Sequence, residues 1–188
     1  MDGSVIMKSS NGKTFNLGYK PAEYVEFTGT EYVKTGIYPN QDTKIDMVVT
    51  PLSDGNVGNG TGFVPYGGGN TLNTNVLEIY SWGTDLEIGY GNQKEIITMY
   101  PIGNKLHIVQ DKNIITIDDL TAETAYTNTF TYTAYTAPGD LYIGALHRTA
   151  TSTIGFIGKM RVYSCKIYDN GTLVRDLVPM ESYYNNTA

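Results

Sequence analysis

Cysteine is almost absent from this sequence. Among its 188 residues Cys165 is the only one, which excludes an intrachain disulfide and a cysteine-rich zinc site. Cys165 lies in a segment that has the pattern of a strand, and no base that would activate a thiol is evident nearby. A free cysteine packs like a small apolar residue, so we expect Cys165 to be buried in the core.

Basic runs, long apolar stretches and helical periodicity are also missing. The formal net charge is −6 and no run of Lys or Arg occurs, which makes nucleic acid an unexpected partner. The longest apolar stretches, such as residues 47–49, are far too short to insert into a membrane. The first residues lack the basic start and apolar stretch of a secretory signal, which favours a protein that is not secreted. Only residues 120–126 offer room for a helical turn.

What the sequence does contain is typical of β structure. It has 16 Tyr and 21 Gly, and short alternating segments are separated by turn residues throughout. Ile45, Met47 and Val49 alternate with polar neighbours and are expected to face the core. Residues 169–171 predict a hairpin turn. In residues 162–167 the spacing of Val162, Cys165 and Ile167 breaks the alternation, which predicts a β-bulge.

The first 20 residues are expected to form an arm. The apolar residues of the arm flank Asn11 and Gly12, a pair suited to a tight hairpin turn, and a break at Gly18 to Pro21 follows. An isolated hairpin is marginal in water, so the arm must dock on the rest of this chain, on a copy or on another protein. We therefore predict two parts, an arm at 1–20 and a domain at 21–188. The candidate assembly residues of the arm are Val5, Ile6, Met7, Phe15 and Leu17.

Four segments resemble concanavalin A-like, laminin-G-like jelly-roll domains. The closing residues 157–179 (IGKMRVYSCKIYDNGTLVRDLVP) resemble the last strands of that family, residues 23–27 (EYVEF) and 32–37 (YVKTGI) its start, and residues 141–145 (LYIGA) the strand before the closing hairpin. The resemblance covers about residues 22–180. It implies an all-β, two-sheet antiparallel jelly-roll sandwich of the lectin and glucanase type, carrying here a short N-terminal hairpin arm. Such folds host lectins, glycosidases, adhesion modules and virion proteins.

The sequence carries no complete catalytic pattern. Laminarinase-type relatives place three acids at alternate positions of one strand, whereas here only Asp85 and Glu87 share a face and Gly83 stands where the third acid would be. Glu78 belongs to the preceding strand. His107 and His147 lack metal-ligand or triad spacing, so we expect no enzyme activity, no catalytic residues and no metal site. Calcium stays an alternative without a motif, at Asp54, Asn56 and Asn59.

Aromatic residues are the best functional lead. Sugar binding uses exposed flat rings beside amides and carboxylates, and the only Trp lies in an expected turn. The alternative is that Trp82 and Tyr80 fill a core edge or a subunit contact. The candidate carbohydrate-binding residues are Tyr66, Tyr80, Trp82, Asp85, Tyr90 and Asn92.

Two functions are therefore expected to compete. The first is a non-catalytic virion structural or attachment protein of a bacteriophage, located on the virion surface. It would pack against other virion proteins or its own copies, and it would also bind host glycans. The second is a carbohydrate-binding or adhesion module on a bacterial cell surface. We expect no cofactor in either case.

Overall fold

A computed structural model describes residues 4–8, 14–53, 55, 62–71, 74–98, 101–149 and 153–185, with side chains for residues 19–53, 55, 62–71, 74–98, 101–149 and 154–182. The described elements are strands, and among these residues no helix is long and apolar enough to cross a membrane. In chain order the strands are β1 (Ser4–Lys8), β2 (Thr14–Pro21), β3 (Val25–Thr28), β4 (Val33–Lys34), β5 (Thr43–Pro51), β6 (Tyr66–Gly69), β7 (Val76–Trp82), β8 (Asp85–Gly91), β9 (Gln93–Thr98), β10 (Leu106–Asp111), β11 (Ile114–Asp119), β12 (Thr124–Thr129), β13 (Tyr142–Ile143), β14 (Ala145–Arg148), β15 (Thr153–Ile157), β16 (Lys159–Asp169), β17 (Thr172–Leu177) and β18 (Met180–Asn185).

Two large sheets form a sandwich. The back sheet has the order β12-β11-β10-β5-β16-β17, with β3 also paired to β16. The front sheet has the order β15-β14-β6-β7-β8-β9, with β13 paired to β6 and to β4. The pairing of β14 with β6 is parallel, and the other pairings between the named strands are antiparallel. The predicted all-β, two-sheet antiparallel jelly-roll sandwich is confirmed.

The core lies between the two sheets and follows the alternation of the sequence. Ile45, Met47 and Val49 of β5 are fully buried, as predicted. Each such side chain contributes about 1.5–3 kcal/mol relative to an exposed one. The buried Cys165 of β16 belongs to the same core, which confirms its expected role.

Two local predictions about the closing strands are also confirmed. The register of β16 against β5 shifts between Val162 and Ser164, which is the β-bulge that places Val162, Cys165 and Ile167 on the buried face. Asn170 and Gly171 adopt φ angles of 47° and 79° in the turn between β16 and β17. The helical turn expected at 120–126 is wrong, because a short turn there leads directly into β12, whose pairing with β11 satisfies its backbone.

A third, small sheet joins both ends of the chain. Strands β1 and β2 pair antiparallel as expected, but β18 pairs along the other side of β2 in the order β1-β2-β18. The sequence reading did not anticipate β18. The turn expected at Asn11 and Gly12 lies outside the described residues, as do the side chains of Val5, Ile6, Met7, Phe15 and Leu17. The division into an arm at 1–20 and a domain at 21–188 stays a prediction.

Candidate functional site

The outer face of the front sheet carries polar and aromatic residues, whereas the inner face packs mainly apolar side chains into the core. Strand β7 buries Leu77 and Ile79 in the core, so the alternating Glu78 and Tyr80 lie on the outer face. Glu87 of β8 is the register partner of Tyr80 and therefore lies on that face too. The three outer-face side chains are nevertheless almost buried, because neighbouring strands supply residues that cover them.

Trp82 stands at the end of the β7–β8 hairpin, where it is half exposed. Residues 83 and 84 form the turn, with Gly83 at a φ of 64° that favours glycine. Trp82 pairs in register with Asp85, and 49% of it is accessible to solvent. An exposed indole beside a carboxylate is suited to stacking against a flat apolar ligand face.

Phe156 of the edge strand β15 completes the aromatic wall. Its ring stacks over Tyr80, with centroids 6.3 Å apart and planes 6° from parallel, and meets Trp82 edge-on at 6.4 Å. The backbone of Phe156 has a φ of 59°, which a bulky residue adopts only when its surroundings hold it there. Such strain tends to occur at functional sites, and here it places the ring between Tyr80 and Trp82.

A buried ion pair lies behind the rings. Arg148 of β14 donates from two nitrogens to the two oxygens of Glu78, at 3.0 and 3.3 Å, and its guanidinium lies 5.2 Å from the centre of the Tyr80 ring. Burial raises the pKa of the Glu78 carboxyl, and the positive charge of Arg148 opposes that rise. The pair is rigid because guanidinium and carboxylate meet in a bidentate geometry.

A second acid–base pair lines the front of the site. Lys94 of β9 places Nζ 2.6 Å from Oε2 of Glu87, and the Tyr80 hydroxyl donates to the same oxygen. Glu87 lines the cavity, and no hydrogen bond to its Oε1 is found among the described residues. Burial and the bond to Glu87 raise the pKa of Tyr80 well above its usual value, so Tyr80 remains a neutral donor.

These groups enclose one cavity, which we call the Trp82 pocket. Its volume is about 210 Å³. It presents a flat aromatic wall, the ammonium of Lys94, the guanidinium of Arg148 and the carboxylate of Glu87 within one concave site. Its lining residues are Tyr80, Trp82, Glu87, Lys94, Arg148 and Phe156.

Three of the six residues expected to bind carbohydrate meet at this face, and three do not. Tyr80 and Trp82 line the pocket and Asp85 is the register partner of Trp82. Tyr66 and Tyr90 are a correction: both are fully buried on the inner face, where the Tyr66 hydroxyl donates to Gln110. Their rings offer no surface to a sugar.

Asn92 is exposed but lies apart from the pocket, and its expected role in sugar binding stays a prediction. It follows β8 at the end opposite Asp85, about 20 Å away at the rise of a strand. There its Oδ1 accepts a hydrogen bond from the backbone N–H of Asn75 at 2.9 Å, so it holds a turn.

The sequence reading missed most of the charged residues of the pocket. It set Glu78 aside because Glu78 belongs to the previous strand, yet strands β7 and β8 are neighbours and their outer faces are continuous. From the sequence, Glu87 belongs with Asp85 to a three-acid pattern that lacks its third member. The signal for Glu78 was present in the alternation of β7, whereas nothing in the sequence indicated that Arg148 would reach across 70 residues to it.

No metal site is found in the part of the chain that the structure describes. There, no three His, Cys, Asp or Glu side chains are grouped so that they would hold an ion. The calcium alternative falls on Asp54, Asn56 and Asn59, which lie outside the described residues. The expectation that the protein needs no cofactor stays a prediction.

No protein-family model and no curated protein matches the chain. One similar solved structure is mouse laminin alpha1 chain, domains LG4-5, with a TM-score of 0.46 and 14% identity. The match covers 89% of this chain but only 45% of the laminin chain. Arcelin-5, a lectin-like defence protein from Phaseolus vulgaris, has a TM-score of 0.38 and 9% identity, with 89% of this chain and 90% of arcelin covered. A family 7 alginate lyase, A1-II′, has a TM-score of 0.33 and 9% identity, with 95% and 83% covered. The fold described above rests on its own strand order and register.

Proposed function

We propose that this chain is a non-catalytic binding protein that holds a saccharide in the Trp82 pocket. The observation that carries the proposal is a half-exposed Trp82 in one cavity with the carboxylate of Glu87, which Lys94 pairs, and the guanidinium of Arg148. A sugar has an apolar face that stacks on an indole and hydroxyls that both donate and accept. Glu87 and Lys94 both line the cavity, so Glu87 would accept from such a hydroxyl and Lys94 would donate to another.

The chemistry of the pocket favours binding over catalysis. A glycosidase needs one carboxyl that keeps its proton and one free carboxylate. Glu78 is held by Arg148, and Glu87 is held by Lys94 and the Tyr80 hydroxyl. The raised pKa of Tyr80 makes it a poor base. Each of these titratable groups is thus already paired, either with a group of opposite charge or through a hydrogen bond.

The test uses an array of uncharged mono- to hexasaccharides built from glucose, mannose or galactose. Trp82 is the only Trp in the chain, so its emission reports binding at the pocket directly. We expect a saturable change in emission with the bound sugar. Calorimetric titration, which does not depend on the indole, should show that Trp82→Ala weakens binding at least about tenfold, as loss of a central aromatic contact does. Asn92→Ala is the matched control and should bind normally.

The proposal fails if no sugar of the array binds, or if Trp82→Ala binds as tightly as the unaltered protein. Retained binding in the variant would move the site elsewhere on the surface. Loss of binding in the Asn92→Ala control would indicate general unfolding rather than loss of a contact.

An assembly role is the second candidate, as a virion structural or attachment protein or as an adhesion module on a bacterial surface. The observation that favours it is the small sheet of β1, β2 and β18, in which β1 and β18 each pair on one side only among the described strands. Open strand edges are suited to strand addition by a copy or another protein. Such a protein would act at the surface of the virion or cell, and saccharide binding is compatible with either location.

A further inference from the structure

The back sheet is interrupted along one edge of β16. Strand β3 pairs with residues 159–162 of that edge, and β17 pairs with residues 165–169. Residues 163 and 164 have no partner there among the described strands, and the β-bulge after Val162 lies at this point. Just outside the sheet, N of Ala22 donates to O of Pro179 at 3.1 Å. A gap therefore lies between the start of β3 and the end of β17.

An apolar cavity, which we call the split-sheet cavity, lies at this gap between the two large sheets. Its volume is about 310 Å³. Register partners contribute to its walls in pairs, since direct partners place their side chains on the same face of a sheet. These pairs are Val25 with Val162 and Cys165 with Leu177 in the back sheet, and Val33 with Ile143 in the front sheet.

Small side chains create this space. Four of the ten lining residues are valines and one is a cysteine, whereas the core elsewhere is filled by larger side chains such as Ile45, Phe63 and Leu77. Protein interiors are close-packed and contain few voids larger than a water molecule. The cavity is therefore a property of the residues chosen at the gap and not of the sandwich in general.

The walls of the cavity carry almost no charge. Among the described residues that line it, Asp176 is the only charged one and none is a cation. Burial raises the pKa of the Cys165 thiol to about 12, so the thiol stays neutral. An anionic ligand would find no partner of opposite charge and would meet Asp176 on a protein whose net charge is −6. A saccharide would lose hydrogen bonds to water that these walls do not replace.

The dimensions of the cavity suit a small molecule better than a protein partner. An apolar cavity of about 150 Å³ binds benzene, so about twice that volume accommodates about two rings. The inner wall is closed to a flat protein surface, because Ile143 and Cys165 are 1% and 0% exposed. The exposed apolar residues at the rim are only Val25, Val33 and Val178. Three valines provide far less than the about 800 Å² per partner that a stable protein interface buries.

We propose that the split-sheet cavity is a second binding site, which takes an uncharged apolar small molecule of about two rings. The ligand enters past the three rim valines and lies between the inner faces of the two sheets. Ligand sites of this kind are mostly apolar clefts of about 300–1,000 Å³. The site is independent of the Trp82 pocket, with which it shares no lining residue.

The test titrates the full chain with three bicyclic probes and follows the methyl groups of valine and isoleucine by NMR. The probes are naphthol, which is uncharged, naphthoate, which is an anion, and naphthylmethylammonium, which is a cation. We expect naphthol to shift the methyl signals of Val33, Val162 and Ile143 saturably, with a Kd below about 1 mM. Both charged probes should bind at least about tenfold more weakly, because a charge loses hydration in an apolar cavity. Ile115, which is buried in the core and does not line the cavity, should not shift.

Variants that fill the cavity provide the second part of the test. Val33→Phe adds a ring at the rim without changing a fully buried residue, and it should weaken naphthol binding at least about tenfold because the ring occupies part of the cavity. Val178→Phe fills the cavity from the other wall, carries the same expectation and decides the matter if Val33→Phe does not fold. The control is Ile96→Phe, which adds a ring at an exposed position of β9 outside the cavity and should bind normally.

Several results would overturn the proposal. Naphthol that shifts no methyl group of the cavity, or shifts Ile115 as strongly, would mean that the cavity is not its site. So would filled variants that bind naphthol as tightly as the unaltered protein. Tighter binding of either charged probe would show that the ligand class is wrong. Cavity signals that shift with protein concentration instead of with naphthol would identify a contact between copies. None of these results bears on the Trp82 pocket, because saccharide binding there is measured with different probes.

Discussion

The buried pair of Arg148 and Glu78 provides the sharpest test of the energetics. Arg148→Met keeps most of the side-chain volume but removes the charge, which leaves a carboxylate that is 1% exposed without its cation. Removing one partner of a buried ion pair costs about 3–5 kcal/mol. The control is Arg161→Met, since Arg161 holds Glu26 at a similar distance, 2.9 Å, but on the surface. An exposed pair is worth about 1 kcal/mol or less.

The loss of folding stability in Arg148→Met should also depend on pH. Burial already raises the pKa of Glu78 from 4.5 in the folded protein, and removal of Arg148 raises it further. A carboxyl whose pKa is higher in the folded than in the unfolded state stabilises the fold most at pH values below its unfolded-state pKa. That stabilisation is lost as the pH rises toward its folded-state pKa. The deficit of the variant should therefore grow as the pH rises from the folded-state pKa of Glu78 with Arg148 present to the higher pKa without it, by up to about 1.4 kcal/mol per pH unit.

Urea unfolding followed by far-ultraviolet circular dichroism at several pH values between about 5 and 8 measures both effects. The double variant Glu78→Gln with Arg148→Met should recover most of the loss, because no uncompensated charge remains. A deficit in Arg148→Met no larger than in Arg161→Met would refute the reasoning. So would a deficit that stays constant across this pH range.

Two further predictions concern catalysis and assembly. Incubation with β-1,3- and β-1,4-glucans should release no reducing ends, since Glu87 is engaged by Lys94 and Tyr80, and Glu78 by Arg148; hydrolysis that Glu87→Gln abolishes would contradict this. Deleting residues 1–20 removes β1 and most of β2 but no strand of the two large sheets, so the truncated protein should stay folded by circular dichroism and lose its oligomer in light scattering. Unfolding of the truncated protein, or an unchanged oligomer, would exclude an assembly role for the arm.

Local features of the fold were predictable because they depend on neighbours in sequence. The alternation of Ile45, Met47 and Val49 indicated which face of β5 is buried. The irregular spacing around Cys165 predicted the bulge in β16, since an extra residue was needed to keep the apolar side chains on one face. Asn170 and Gly171 predicted their hairpin turn through their tolerance of positive φ.

The candidate site was less predictable because it is made by strands that are distant in sequence. Arg148 and Glu78 are brought together by the parallel pairing of β14 with β6, and no local pattern specifies that pairing. Tyr66 is followed by three glycines, which have no side chains and therefore give no alternation that would indicate which face of β6 is buried. Tyr90 was an avoidable error, because it continues the inward alternation of Leu86 and Ile88.

The charges on the outer face of the front sheet argue for recognition rather than stability. A buried ion pair loses hydration that its attraction only partly offsets, and apolar replacements of similar size often leave a protein as stable or more so. The inner face of the same sheet, with Leu77, Ile79 and Leu86, demonstrates that these strands readily carry apolar residues. Apolar residues at the positions of the pairs Arg148–Glu78 and Lys94–Glu87 would therefore be expected to stabilise the fold as well or better. What the charged pairs provide instead is an ordered set of donors and acceptors beside the rings, which is the requirement for binding a polyhydroxylated ligand.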